Sequence, residues 1–127
     1  MAFSPLDSGL TGLFFADDAV AAVFADRARL ARYVRVETAL AKAQGNRDLA
    51  EALAKIEPDA FDAAAIGKAT ADAAVPSIPF LDALRARLPA DLAVRLHQGA
   101  TSQDLIDTEM ALALREADAV TRRNWAQ

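Results

Sequence analysis

The chain is predicted to be all-α, and three observations predict it. Apolar residues recur at spacings of three and four: Leu30, Tyr33, Val34 and Ala41 in one stretch, and Ile106, Met110, Ala113, Ala117 and Val120 in another. That is helical periodicity, not the alternation of a strand. Alanine supplies much of the 54% hydrophobic content, and alanine is the strongest helix former. The 5 glycines and 5 prolines fall singly or in short clusters between periodic segments, as they do in a helical domain with short connections.

Taken in order, residues 1–15 read as irregular, because Pro5, Gly9 and Gly12 interrupt them. Leu13, Phe14 and Phe15 read as an apolar segment laid over a helical core. Asp17 or Asp18 caps a short helix over 19–24, and Asp26 caps a longer one over 27–44, each carboxylate accepting from orphan N–H groups. Gly45-Asn46 is a stop signal for that helix. A short helix over 48–56 ends before Pro58. The next runs over 62–74 and presents a small face of Ala65, Ile66, Ala69 and Ala73. Val75 to Phe80 reads as a rigid loop, since Pro76 and Pro79 fix backbone angles and remove two donors. A helix over 80–88 leads to Pro89, and 91–96 adds one helical turn. The last helix, 102–126, is the longest, and its 4/3 spacing is a bundle-type seam. It carries acids early and Arg122 and Arg123 late, both suited to the helix dipole. It ends at Trp125-Ala126-Gln127 with no Gly, Asn or Pro stop, so it is expected to be part of a longer helix with partner helices, Trp125 facing one of them.

Composition excludes several roles. A net charge of −4 opposes nucleic-acid binding, which needs a basic surface, and a polybasic membrane anchor. No apolar run approaches the ~20 residues of a membrane span. The start carries no basic segment and an early Asp7, unlike a signal peptide. With no cysteine, there is neither a disulfide nor a thiolate site, and a cytoplasmic location is expected. Arg27, Arg29, Arg32 and Arg35 spread around nearly half of their helix and read as a solvated face. Tyr33 reads as core or rim.

Chemistry concentrates in Leu96-His97-Gln98-Gly99-Ala100-Thr101-Ser102-Gln103-Asp104, which holds the only histidine. The four N–H groups that open a helix have no internal partners, and the dipole adds positive charge there. An anion is a natural occupant. Gly99 permits a sharp turn or close approach. Thr101 and Ser102 add hydroxyls, His97 an imidazole and Gln103 an amide, together a grip for a carboxylate or phosphate. A second use is equally open: Thr101-x-x-Asp104 resembles a capping box with Asp in place of Glu or Gln. One hydroxyl can cap while the other faces a ligand. The dipole favours a neutral His97 in the empty site, so anion binding is expected to take up a proton. No cluster has metal-ligand spacing, so no metal site is expected.

These same residues, with Asp107-Thr108, resemble the first signature region of the fumarase/aspartase superfamily, most closely its carboxymuconate cycloisomerase branch. Phe14 to Asp17, Phe24 to Arg27, Glu37 to Gln44 and Ile78 to Leu81 also resemble that family. The resemblance implies a small helical N-terminal domain, 1–100, followed by the first part of a central-bundle helix, 101–127. It implies a homotetramer whose active sites combine three signature regions from different subunits, only the first of which is in this chain. It implies a cofactor-free reaction on a small tricarboxylate: one carboxylate closes onto a carbon to give a muconolactone, and a proton goes to the carbon beside another. His97 and Ser102 would be catalytic. His97, Thr101, Ser102, Gln103 and Asp104 would bind or shape the site for substrate. Residues 1–127 by themselves would be inactive. A sister lyase of the adenylosuccinate type, or a non-catalytic helical assembly domain, are the alternatives. Two departures stand out: Gln98 replaces a frequent aromatic, and Gly45-Asn46-Arg47-Asp48 shortens a hydrophobic turn, read here as a trimmed loop.

Overall fold

A computed structural model describes residues 7–126. Among them the elements are α1 (Gly12–Phe15), α2 (Asp18–Phe24), α3 (Asp26–Ala43), α4 (Arg47–Leu53), a 3-10 turn (Pro58–Ala60), α5 (Ala63–Ala73), α6 (Ser77–Arg85), α7 (Ala90–Ala93) and α8 (Ser102–Trp125), with no strand. The all-α expectation holds.

The centre is α3, against which α2, α4, the 3-10 turn and α8 all pack, while α6 bridges α5 and α8. Leu30, Tyr33, Val34 and Ala41 of α3 are buried with Leu49 and Leu53 of α4, Leu84 of α6 and Leu105 of α8. Phe80 is fully enclosed at 0% exposure. Its ring sits 5.0 Å from that of Tyr33 and 5.4 Å from that of Phe61, within the range of favourable offset aromatic pairs. Tyr33 is therefore core.

Local signals place most of the boundaries. Asp17 accepts from the Val20 N–H and Asp62 from the Ala65 N–H, each 3.0 Å. Gly45 has φ 77°, and Asn46 N–H and Gly45 N–H reach back to the Ala41 and Lys42 carbonyls at 2.9 and 3.1 Å. This is the paired-bond stop in which a left-handed residue satisfies the last carbonyls.

Several expectations need correction. Asp26 is the first residue of α3, not its cap, which is Ala25. Gly12–Phe15 forms one helical turn, and Leu13 and Phe14 are exposed, 94% and 84%, so they do not lie on the core. Pro76 and Pro79 do not hold a loop. Pro76 caps α6 and Pro79 lies in its first turn, where the missing N–H has no helical partner to lose. The face of α5 that turns inward is Ala63, Ile66, Thr70 and Ala73, while Ala65 and Ala69 are exposed.

The seam of α8 is rotated by one position over its first half. Leu105, Glu109, Ala113 and Val120 are buried, while Met110 is 38% and Leu114 56% exposed. An acidic residue lies on the inner line because Arg32 meets it there. Arg32 is 4% exposed. Its Nε donates to Glu109 Oε1 at 2.9 Å, Nη1 to Glu116 Oε2 at 2.9 Å and Nη2 to the Val23 carbonyl at 2.7 Å. Arg29 lies 3.6 Å from the same Glu109, and Arg27 pairs with Asp59 at 2.7 Å. The solvated-face expectation thus holds for the exposed Arg27 and Arg35 and fails for Arg32, which is buried and ties α3 to α2 and α8, with the half-buried Arg29 beside it.

Candidate functional site

The stretch from Leu96 to Asp104 crosses between α7 and α8 beside the second half of α3. Two left-handed residues shape it, His97 at φ 61° and Gly99 at φ 75°. A positive φ is uncommon outside glycine, with histidine among the more tolerant residues. Three contacts fix the loop. Gln44 Nε2 donates to the Gln98 carbonyl at 2.7 Å, and Gln98 Nε2 to the Val94 carbonyl at 2.6 Å. Arg95 donates twice to Asp48, at 3.1 and 2.6 Å. The Gly45–Asp48 connection is therefore more than a trimmed loop: with Gln44 before it, it clasps the site.

Thr101 caps α8. Its Oγ1 accepts from the Asp104 N–H at 3.3 Å and donates to Asp104 Oδ2 at 2.9 Å, and that same Oδ2 accepts the Thr101 N–H at 2.7 Å. The reciprocal box is complete, so of the two uses open to the Thr101 hydroxyl the structure takes the cap. One amide of the expected anion cradle is also filled by Asp104. These contacts, the backbone N–H first and the hydroxyl second, hold the Asp104 carboxyl below the ordinary carboxylate range, with a smaller contribution from His97. Gln103 turns along the helix and donates to Asp107 Oδ1 at 2.5 Å. Ser102 has no side-chain partner among the described residues, and the N–H groups of Ser102 and Gln103 are among those a helix start leaves without an internal acceptor.

His97 has a partner that reading the stretch by itself omitted. Its Nδ1 lies 2.7 Å from Glu37 Oε1, and the Glu37 residue is 1% exposed. Burial pushes the Glu37 carboxyl up from the usual range, and the His97 contact opposes this. Glu37 Oε2 is buried with no hydrogen bond. Glu37, His97, Asp104 and Thr108 share the lining of a cleft of about 280 Å³ between α3 and α8. Thr101, Ser102 and Gln103, at the start of α8, are not among its walls. No signal within the loop points to Glu37, 60 residues earlier; the available hint was an acid on the inner face of an otherwise apolar α3.

Among the described residues, no set of three His, Cys, Asp or Glu side chains could hold a metal ion, and no helix is long and apolar enough to cross a membrane. The site is thus an imidazole on a buried carboxylate, beside an ordered helix start that offers a hydroxyl and backbone amides.

No protein-family model matches the chain. Its all-α fold is that of fumarase/aspartase enzymes, which it matches as an N-terminal helical fragment. More particularly, its relatives are cycloisomerases and lyases. It is 36% identical over 126 residues to the 3-carboxy-cis,cis-muconate cycloisomerase of Acinetobacter baylyi, covering 91% of this chain and 28% of that protein. It is equally 36% identical over 126 residues to the nitrosuccinate lyase of Streptomyces davaonensis, covering 92% of this chain and 27% of that protein. The crystal structure of the beta-carboxy-cis,cis-muconate cycloisomerase from Acinetobacter calcoaceticus superposes with a TM-score of 0.82 at 34% identity, over 90% of this chain and 29% of that one. The chain therefore spans little more than a quarter of the length of these relatives.

Proposed function

We propose that this chain supplies one carboxylate-binding part of a shared active site in a cycloisomerase that interconverts 3-carboxy-cis,cis-muconate and its muconolactone. Residues 1–100 would form the N-terminal domain and 101–127 the start of a central-bundle helix. The single observation that carries the reading is the His97–Glu37 pair set beside the capped start of α8, in a chain whose relatives include that cycloisomerase. His97 and Ser102 would contact substrate, the Ser102 and Gln103 amides adding donors. Thr101 and Asp104 would hold that helix start in shape.

The chemistry follows from charge. When a carboxylate oxygen closes onto the neighbouring carbon, electrons move toward a second carboxylate, whose charge rises before a proton reaches the adjacent carbon. Preorganised donors stabilise such charge at no reorganisation cost. An imidazolium at His97, compensated by Glu37, and the exposed donors of α8 are suited to that task. No cofactor enters this scheme. The remaining groups would come from other subunits of a homo-oligomer, a tetramer in this proposal, acting in the cytoplasm on a small tricarboxylate.

The test is a chimera. Residues 1–127 replace the matching segment of the Acinetobacter baylyi cycloisomerase, and lactone formation is followed. Turnover that falls at least 100-fold with His97→Ala supports the reading. Turnover that survives both His97→Ala and Ser102→Ala removes it. The 127-residue chain alone is expected to show none.

A second reading is favoured by the nitrosuccinate lyase match: elimination from a substituted succinate. The same imidazole and helix start would hold a succinyl carboxylate. A chimera built on that lyase, active where the cycloisomerase chimera is not, would select it.

A further inference from the structure

We propose that Glu37 is the positioning residue of His97: as a carboxylate it accepts from Nδ1–H, fixing the tautomer and leaving Nε2 for a ligand. This rests on the reading of His97 as a substrate-facing group.

The argument starts from what Glu37 lacks. A carboxylate taken out of water needs several partners, and the other buried acid among the described residues has them. Glu109 is met by Arg32 and Arg29. Glu37 has one contact, to a ring nitrogen, and its second oxygen has none. Nothing in the packing of α3 requires an acid at that point, since its neighbours Val34 and Ala41 are apolar core. What the acid does reach is an imidazole held at φ 61°. Residues in such sparsely populated backbone regions persist where the surroundings over-determine them, and here the bonds from Gln44, Gln98 and Arg95 do so.

Two proton arrangements fit 2.7 Å. Either Nδ1–H donates to the carboxylate, or a protonated Glu37 donates to Nδ1. Burial is the largest influence on Glu37 and works against its charge, while the contact with His97 and the charge of Arg85, from α6, act toward the ionised form that the first arrangement requires. Asp104, from α8, shares the lining of the cleft with the pair. With Nδ1–H committed to Glu37, the neutral ring carries its lone pair on Nε2. A proton taken up there makes an imidazolium between Glu37 and an arriving substrate carboxylate, a donor formed as the anion binds. The reverse arrangement would leave Nε2–H fixed and Glu37 without charge to compensate it. An acid that sets the tautomer and basicity of a functional histidine through its far nitrogen is a recurring device.

The chain has one histidine, so ¹⁵N spectra of its imidazole are unambiguous. At alkaline pH, the 127-residue chain is expected to show protonated-type Nδ1 and lone-pair-type Nε2. Glu37→Ala is expected to lower the ratio of Nδ1–H to Nε2–H at least tenfold, and Glu37→Gln, whose amide oxygen still accepts, to restore it. A wild-type ring protonated on Nε2, or a ratio unmoved by Glu37→Ala, overturns the proposal; the first decides even where the alanine variant fails to fold. The readout needs no turnover. An inactive chimera with the expected tautomer would count against the function and leave the positioning role standing.

Discussion

Helix α3 carries two buried ionic contacts, and they are built on opposite principles. At Arg32, the guanidinium donates to Glu109, Glu116 and the Val23 carbonyl, and Glu109 has Arg29 nearby as well. At Glu37, little more than one turn further on, a buried carboxylate has one partner, one bare oxygen and an open cleft beside it. The first arrangement is saturated and joins three helices. The second is unsaturated and faces space. A buried charge cluster with its valences filled specifies packing; one left short is where a ligand or proton completes the set.

The largest effect should come from breaking the saturated side. Arg32→Ala leaves Glu109 buried beside only the more distant Arg29, and is expected to cost about 3–5 kcal/mol, read as a lower midpoint in urea denaturation. The unsaturated side should behave differently. Glu37→Gln keeps the shape and removes a charge that burial disfavours, so its cost should be far smaller. The sign with pH is distinctive. A carboxyl whose value is raised by folding contributes a loss of stability as pH rises above the ordinary 4.5 toward the folded value. Wild type should show that decline, and Glu37→Gln should flatten it; equal slopes would mean that folding does not raise the Glu37 carboxyl.

Smaller effects separate the two hydroxyls. Thr101→Ala removes a completed helix cap and is expected to cost about 1 kcal/mol. Ser102→Ala removes a group with no partner, and its change should stay within about 0.5 kcal/mol. Reversed sizes would mean the cap had been assigned to the wrong residue. The smallest effect concerns Asp104, whose carboxyl is lowered by Thr101. Its contribution is present above the ordinary 3.8 and disappears as pH falls through the lower folded value. Asp104→Asn should abolish that part of the acid loss, measured by thermal melts from pH 5 downward.

What could be read in the sequence was local. The cap at Asp17, the stop at Gly45 and the box at Thr101–Asp104 each depend on residues within about four positions, and each formed. The loop around His97 stood out for the same reason. What escaped was set by distant partners. Glu109 reads as a surface acid until Arg32, 77 residues away, draws it inward and turns α8 by one position. Glu37 reads as one acid in a helix until the loop brings His97 to it. The two prolines misled in another way: their rigidity suits a loop and a first helical turn alike, and only the packing of Phe80 between Tyr33 and Phe61 decides.

The short connection after α3 has a consequence for change over time. Gln44 ends the helix through its backbone and holds the Gln98 carbonyl through its side chain, while Asp48 grips Arg95 on the other flank. The connection works as a ruler: its length sets where His97 stands relative to Glu37. Adding a residue between Gln44 and Asp48 would leave every side chain named here in place in the sequence, yet shift the imidazole off its carboxylate. Substitutions around the cleft are therefore freer than insertions in this turn, and a length change there is the economical route by which a related chain could retune what it grips.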